Sequence, residues 1–265
     1  MIDIHCHILP GIDDGPAVPD ESVEMARQAL EDGIHGVIAT PHTLNGIFIN
    51  RFQKISICID RLRRVLKDEH IDLALYPGAE EHFRPGLFQR ILSGESSTLN
   101  HTGKYVLVEF PFHCVPAEAK DELFQLKLKG ITAILAHPER NTVFQEHPDM
   151  LADMIASGAL TQITAMSVVG EMDETAMEFS HRLIRWRMAH IIASDAHSSE
   201  YRAPVLSKAV QLAGKILKSK SEAMKMVCDH PQAILAGAAV HVLKPDTGNR
   251  KRWSFCESRL VLREH

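Results

Sequence analysis

The first residues with the types and spacing for chemistry are His5 and His7, set two apart in the strand-like stretch Ile2-Asp3-Ile4-His5-Cys6-His7. Strand alternation puts Ile2, Ile4 and Cys6 on one face and Asp3, His5 and His7 on the other. Both imidazoles then project to one point at the strand's C-terminal end. The placement recurs. Further apolar runs end in Thr-Pro-His42, Gly-Ala-Glu80-Glu81, Val108-Glu109-Phe110, Leu-Ala-His137-Pro-Glu-Arg140 and Ala-Ser-Asp195-Ala-His197. Asp13 and Asp14 add carboxylates in the first loop. One such residue is ordinarily a cap or a satisfied polar group. Nine together (His5, His7, Asp14, His42, Glu80, Glu109, His137, Asp195 and His197) would repel or desolvate one another at a cost of roughly several kcal/mol unless cations sit among them.

The donors are nitrogen and oxygen with no thiolate, which suits Mn, Fe or Zn rather than a structural cysteine-type zinc site. Nine donors exceed the needs of one ion, so two or three divalent ions with bridging carboxylates are expected. Such ions lower the pKa of bound water to near neutrality, and the hydroxide attacks without a covalent enzyme intermediate. Three divalent ions, four carboxylates and one hydroxide leave roughly one net positive charge, which favours an anionic phosphate ester. Arg140, three residues after His137, is expected to clamp phosphate oxygens without touching a metal. Arg202, five residues after His197, is the second candidate for this catalytic role.

A cysteine nucleophile would need a Cys-x5-Arg phosphate loop. The formal match, Cys58 to Arg64, lies in CIDRLRR, an amphipathic helical stretch with no glycine to turn its amides toward a phosphate. It reads as a helix cysteine.

The elements that must position these residues are short apolar runs, each followed by a helical pattern. The runs are 2–6, 36–40, 73–78, 105–110, 132–136, 160–164 and 190–194. Their starts lie 34, 37, 32, 27, 28 and 30 residues apart, the length of a strand and its returning helix. Helical patterns occupy 21–32, with Asp20 as its expected cap and Gly33 as its end, then 56–67, 117–129, 150–157, 175–188 and 204–218. Seven alternating units imply an α/β fold with parallel strands and outer helices, closed or nearly closed into a barrel. No glycine-rich nucleotide loop follows any strand.

Composition narrows the class. The 265 residues are 45% apolar and 24% charged, which excludes disorder. The net charge of −5, with no long basic run, argues against nucleic acid. Histidine, the commonest metal ligand, accounts for 16 residues. No run reaches the roughly 18 apolar residues of a membrane helix, and the N-terminus has no basic or apolar signal regions. The five cysteines form no Cys-x-x-Cys pair, so a reduced, cytoplasmic protein is expected. Residues 1–242 read as one domain, and 243–265, with the basic stretch Arg250–Arg252, as a mobile extension.

The segments MIDIHCHILPGIDDGP, ATPH, GAE, VLVEFP, AHPERN and ASDAH, followed by Arg202 and Pro204, closely resemble the bacterial PHP-type protein-tyrosine phosphatases of capsular and exopolysaccharide loci, the CpsB/CapC group. The resemblance covers about residues 1–240 in the same order. It implies a PHP-type distorted (β/α)7 barrel with three ions, usually manganese, at its C-terminal mouth. His5, His7 and Asp195 would hold one ion, with Glu80 bridging to a second that Glu109 and His137 complete. Asp14, His42 and His197 would hold the third, with Asp13 left open in place of Asp14. The implied activity is phosphotyrosine hydrolysis on a tyrosine kinase of polysaccharide export. The alternatives are another PHP-type phosphoesterase, such as a histidinol-phosphate phosphatase, and a non-catalytic regulator that keeps its metals for stability.

Overall fold

The structure, a computed structural model, describes residues 1–43 and 45–246. Its strands are β1 (Ile2–Cys6), β2 (Gly36–Ala39), β3 (His42–Thr43), β4 (Ala74–Pro77), β5 (Glu80–His82), β6 (Tyr105–Glu109), β7 (Thr132–Ala136), β8 (Leu160–Thr164) and β9 (Ile191–Ala193). Seven of them fall in the seven expected runs, while β3 and β5 lie just beyond the runs 36–40 and 73–78. Thr40-Pro41 separates β2 from β3, and Gly78-Ala79 separates β4 from β5. Proline has no N–H for the ladder, so the first break is expected from its chemistry. All pairings are parallel, in the order β1-β2-β4 and β3-β5-β6-β7-β8-β9. Because β2 runs into β3 and β4 into β5, the two sheets continue one another.

The outer strands β1 and β9 come together in two different ways. At their C-terminal ends Asp195 N–H donates to His5 O and His7 N–H to Ala196 O, each at 2.8 Å. At the opposite end Met226–Val227 is wedged between them: Ile2 N–H donates to Val227 O and Ile192 N–H to Met226 O. The two strands thus meet directly only at their C-terminal ends.

The helices are α1 (Pro19–Glu31), α2 (Phe52–Asp68), α3 (Leu87–Ser93), α4 (Ala119–Leu128), α5 (Thr142–Glu146), α6 (Pro148–Ala156), α7 (Ala165–Val169), α8 (Glu174–Arg185), α9 (Ser207–Leu217), α10 (Lys220–Lys225) and α11 (Asp229–Leu235). Six of them answer the expected helical patterns; α3, α5, α7, α10 and α11 are additional. Asp20 does not cap α1. Val18 holds that position, Pro19 supplies its fixed φ in the first turn, and Asp20 lies beside it at the positive end of the helix dipole. In α2, Ile55, Ile59, Leu62 and Leu66 form the buried stripe.

The core has two parts. Val37, Val106, Val108, Leu135 and Ile192 pack with helix residues such as Met25, Ile59, Leu62 and Leu183. Ile4, Ile38, Leu107, Ile134 and Ile191 form the inner cluster, joined by Leu99, Ile234 and Leu235. Each fully buried Leu or Ile contributes roughly 1.5–3 kcal/mol. The inner layer sits beneath the strand ends that carry the polar residues.

Strict alternation fails in β1. Its pairing with β2 shifts register between Asp3 and Cys6. Ile4 therefore joins the inner cluster and Cys6 the outer one, although alternation places them on one face. A bulge re-aims side chains in this way, and His5 Nε2 and His7 Nε2 still meet at the strand end, 3.2 Å apart. Of the expected extension 243–265, residues 247–265, with Arg250–Arg252, lie outside the described residues.

Candidate metal centre

All nine strand-end residues meet in one cluster, with Glu80 at its centre. Glu80 Oε1 lies 3.3 Å from His5 Nε2 and 3.0 Å from His137 Nε2. Its Oε2 lies 3.4 Å from His7 Nε2 and 2.9 Å from His42 Nδ1. Asp195 Oδ1 stands 3.3 Å from His5 Nε2 and 3.5 Å from His7 Nε2. Asp14 Oδ1 is 3.6 Å from His42 Nε2 and 3.5 Å from His197 Nε2. Glu109 closes the cluster, 3.8 Å from His137 Nε2 and 3.9 Å from His42 Nδ1. Three sets have donor atoms within 4.8 Å of one another: His7, Asp14, His42 and His197; His5, His7 and Glu80; and His42, Glu80 and Glu109.

Neighbouring acceptors fix which ring nitrogen each histidine presents. His5 Nδ1 donates to Gln162 Oε1 at 2.8 Å, His7 Nδ1 to Asp13 Oδ2 at 2.8 Å, and His197 Nδ1 to the Asp195 carbonyl at 2.9 Å. Each leaves an Nε2 lone pair facing the cluster, the arrangement that orients histidine ligands.

The same contacts separate the two aspartates left open by sequence. Asp13 is spent on His7, on the Gly15 N–H and on the His42 N–H. Asp14 keeps a side chain 53% exposed and faces His42 and His197. Gly15 allows this loop to lie down, because a Cβ there would collide with the His7 carbonyl oxygen.

The electrostatics match a cation site. Burial disfavours charge on Glu80 and Asp195, yet His5 and other imidazoles, joined at Asp195 by Arg202, outweigh it and hold both carboxyls well below their usual range. Burial likewise opposes protonation of His5 and His42, but the carboxylates around them raise their pKa values to about 9 and about 10. His197, buried beside His7, falls to about 3. Glu80 Oε2 and His42 Nδ1 are buried 2.9 Å apart and neither makes a hydrogen bond. A pair of lone-pair donors with no hydrogen-bond partner fits a bound divalent ion.

Both arginines reach the cluster. Arg140 Nη1 lies 3.0 Å from Asp195 Oδ2, and its guanidinium stacks 4.7 Å from the Phe112 ring centroid. Arg140 thus pairs with Asp195, one of the expected ligands. Arg202 Nη2 lies 2.5 Å from the same oxygen and 2.9 Å from the Asp195 carbonyl. Buried Glu139 accepts from Thr164 N–H at 2.9 Å and so ties the turn between His137 and Arg140 to β8. His137 and Asp195 have φ of 31° and 53°, left-handed values that cost non-glycine residues roughly 1–3 kcal/mol and recur at functional sites.

Sequence reasoning passed over Gln162, Asp13 as an orienting group, and Phe112. The available signal for Gln162 was an amide in the middle of a β-strand buried at every position.

Cys58 sits within α2, half-buried against the core. A helix interior spends its amides on its own carbonyls, so none is free to cradle a phosphate. Cys58→Ser is expected to keep kcat/KM on a phosphotyrosine peptide within about twofold of the parent. A thousandfold loss with folding and metal content intact would make the cysteine the nucleophile after all.

A parallel α/β array with imidazoles and carboxylates gathered at its strand ends is the framework of a metal-dependent hydrolase. Residues 1–236 match the family model for capsular polysaccharide synthesis, CpsB/CapC, and the chain belongs to that family. The tyrosine-protein phosphatase YwqE of Bacillus subtilis (strain 168) is 36% identical over 252 residues, 95% of this chain and 98% of its own. The tyrosine-protein phosphatase CpsB of Streptococcus pneumoniae is 28% identical over 89% of this chain and 98% of its own. A crystal structure from the work on these two proteins, described as unique metal-dependent tyrosine phosphatases, superposes with a TM-score of 0.87. It is 36% identical, covering 92% of this chain and 98% of that one. A histidinol phosphate phosphatase of Lactococcus lactis shares the fold, with a TM-score of 0.53 at 14% identity, over 82% of this chain and 92% of that one.

Proposed function

We propose that this chain is a metal-dependent protein-tyrosine phosphatase acting on a tyrosine kinase of capsule or exopolysaccharide synthesis. The observation that carries the reading is the convergence of His5, His7, His42 and His137 on Glu80, whose Oε2 lacks any hydrogen bond. The curated relatives and the shared fold support the phosphotyrosine substrate.

His5, His7 and Asp195 would hold one ion, Glu80, Glu109 and His137 a second, and Asp14, His42 and His197 a third. Manganese suits this hard N/O donor set, with iron and zinc as the other fits. Bound divalent ions would supply Lewis acidity and water acidified to near neutral pH. The chain's own groups do the rest. Gln162 and Asp13 hold His5 and His7 in the required tautomers. The apolar layer beneath the cluster keeps water out from below. Arg140, resting on the Phe112 ring, would bind phosphoryl oxygens, and Arg202 would hold Asp195 and its loop in place. The leaving phenolate has a pKa near about 10, low enough to depart with little help from an acid.

Residues 1–242 would form the catalytic unit and 243–265 an extension. No helix among the described residues is long and apolar enough to cross a membrane. The free cysteines Cys6, Cys58, Cys114 and Cys228 support a cytoplasmic location.

Chelation should abolish hydrolysis of a phosphotyrosine peptide, and Mn2+ should restore it. The substrate panel sets that peptide beside histidinol phosphate, a phosphoserine peptide and a phosphodiester. Full activity in a preparation shown by elemental analysis to be metal-free would overturn the metal assignment. Preference for histidinol phosphate would overturn the substrate.

A further inference from the structure

The cluster accounts for how a phosphoryl group would be held, but not for what surrounds the group attached to it. Two phenylalanines stand beside the cluster on separate loops. Phe112 follows β6 and is 38% exposed. Its ring lies 5.8 Å from that of His137 and carries the Arg140 guanidinium at 4.7 Å. Phe110, two residues earlier, packs in the core against Phe83 and Phe144, so Phe112 is the one turned outward. Phe48 follows β3, and its ring lies 6.4 Å from that of His42, within 5° of parallel.

Both loops are anchored through their backbones. Phe112 O accepts from Thr142 N–H at 2.9 Å, and within the second loop Phe48 N–H donates to Asn45 Oδ1 at 2.9 Å. Buried Asn50 bonds the Ile12 and His42 carbonyls beneath the second loop. Both rings thus stand beside the cluster, next to backbone bonded to other elements.

We propose that Phe112 and Phe48 form an aryl-recognition subsite that receives the phenyl ring of a phosphate monoester. The inference rests on the phosphatase reading and deepens it by giving the ester group a place. A phosphoryl oxygen bound to Arg140 puts the ester oxygen, and a ring joined to it, beside Phe112. Aromatic rings meet offset or edge-to-face at centroid separations of roughly 4.5–7 Å, a gain beyond the area they bury. Alkyl esters gain no such contact. The subsite therefore favours a phosphorylated phenol over a phosphorylated aliphatic alcohol of equal charge.

The test compares phenylphosphonate with methylphosphonate by calorimetry on the manganese-loaded full chain. Phosphonates are not hydrolysed, so binding is read apart from turnover. The parent protein should bind phenylphosphonate about tenfold more tightly. Phe112→Leu and Phe48→Leu should each remove about three- to tenfold of that preference, and Phe112→Tyr should restore it. The kcat/KM ratio of phenyl phosphate to ethyl phosphate should fall in parallel.

Equal losses for both phosphonates in Phe112→Leu would show that Phe112 acts only by bracing Arg140, and would overturn the subsite. So would a parent protein with no phenyl preference. A loaded parent that hydrolyses neither ester would overturn the phosphatase reading, whereas the binding comparison reports on the subsite itself.

Discussion

Glu80→Ala should lose more than about a thousandfold in kcat/KM and most of the bound metal. The barrier rises by about 4 kcal/mol or more. Glu80 is 1% exposed and touches His5, His7, His42 and His137, more of the cluster than any other carboxylate reaches. Its removal leaves those imidazoles without the negative charge that makes a cation welcome among them. Glu80→Gln keeps the volume and one acceptor oxygen but not the charge, so it should fail almost as badly. A packing role alone would spare the glutamine variant. The readouts are elemental analysis, kinetics on a phosphotyrosine peptide, and the shift in Tm on adding Mn2+. Ions that bind only the folded chain raise the parent's Tm by mass action. Glu80→Ala should show little of that rise. Full metal content with more than a tenth of the parent rate would remove Glu80 from the centre of the site.

Eight of the nine residues of this site were legible because each lies within a few positions of an apolar strand core, Asp14 in the first loop being the ninth. Ile4 precedes His5, Ile38 precedes His42 by four, Leu107 precedes Glu109 by two, and Ile134 precedes His137 by three. A parallel array aligns such ends without needing the sequence to say which strands are neighbours. What was not legible depends on tertiary position. Asp13 and Asp14 are adjacent and chemically identical. Only the packing of Gly15 against His7 turns one behind the histidine and the other toward the mouth. The bulge in β1 leaves no composition signal, since strict alternation also puts His5 and His7 on one face. Gln162 sits in a strand whose end bears neither histidine nor carboxylate. The helices α3, α5, α7, α10 and α11, of five to seven residues, are too short to show an apolar stripe. The Met226–Val227 wedge exists only through bonds to two distant strands.

Arg140→Ala should lower kcat/KM by about 30- to 1,000-fold, or roughly 2–4 kcal/mol, while metal content and folding stay as in the parent. The structure adds a competitor, because Arg140 and Arg202 share one oxygen of Asp195. Their surroundings separate their roles. Arg202 also bonds the Asp195 carbonyl, its N–H bonds Ser198 Oγ, and its own carbonyl accepts from His197 N–H. It is latched into the loop that carries both Asp195 and His197. Arg140 makes a single bond to Asp195 and otherwise rests on the Phe112 ring. It can turn to a phosphoryl oxygen without dismantling the loop, and its fork can hold that charge through the transition state. Arg202→Ala should therefore lose metal together with rate, because Asp195 and His197 lose their support. His137→Ala should lose both as well, for want of an imidazole on Glu80. Elemental analysis beside kinetics on the three variants separates the cases. If Arg140→Ala keeps the parent kcat/KM while Arg202→Ala keeps its metal and loses rate, the clamp is Arg202, and Arg140 only balances the charge of Asp195.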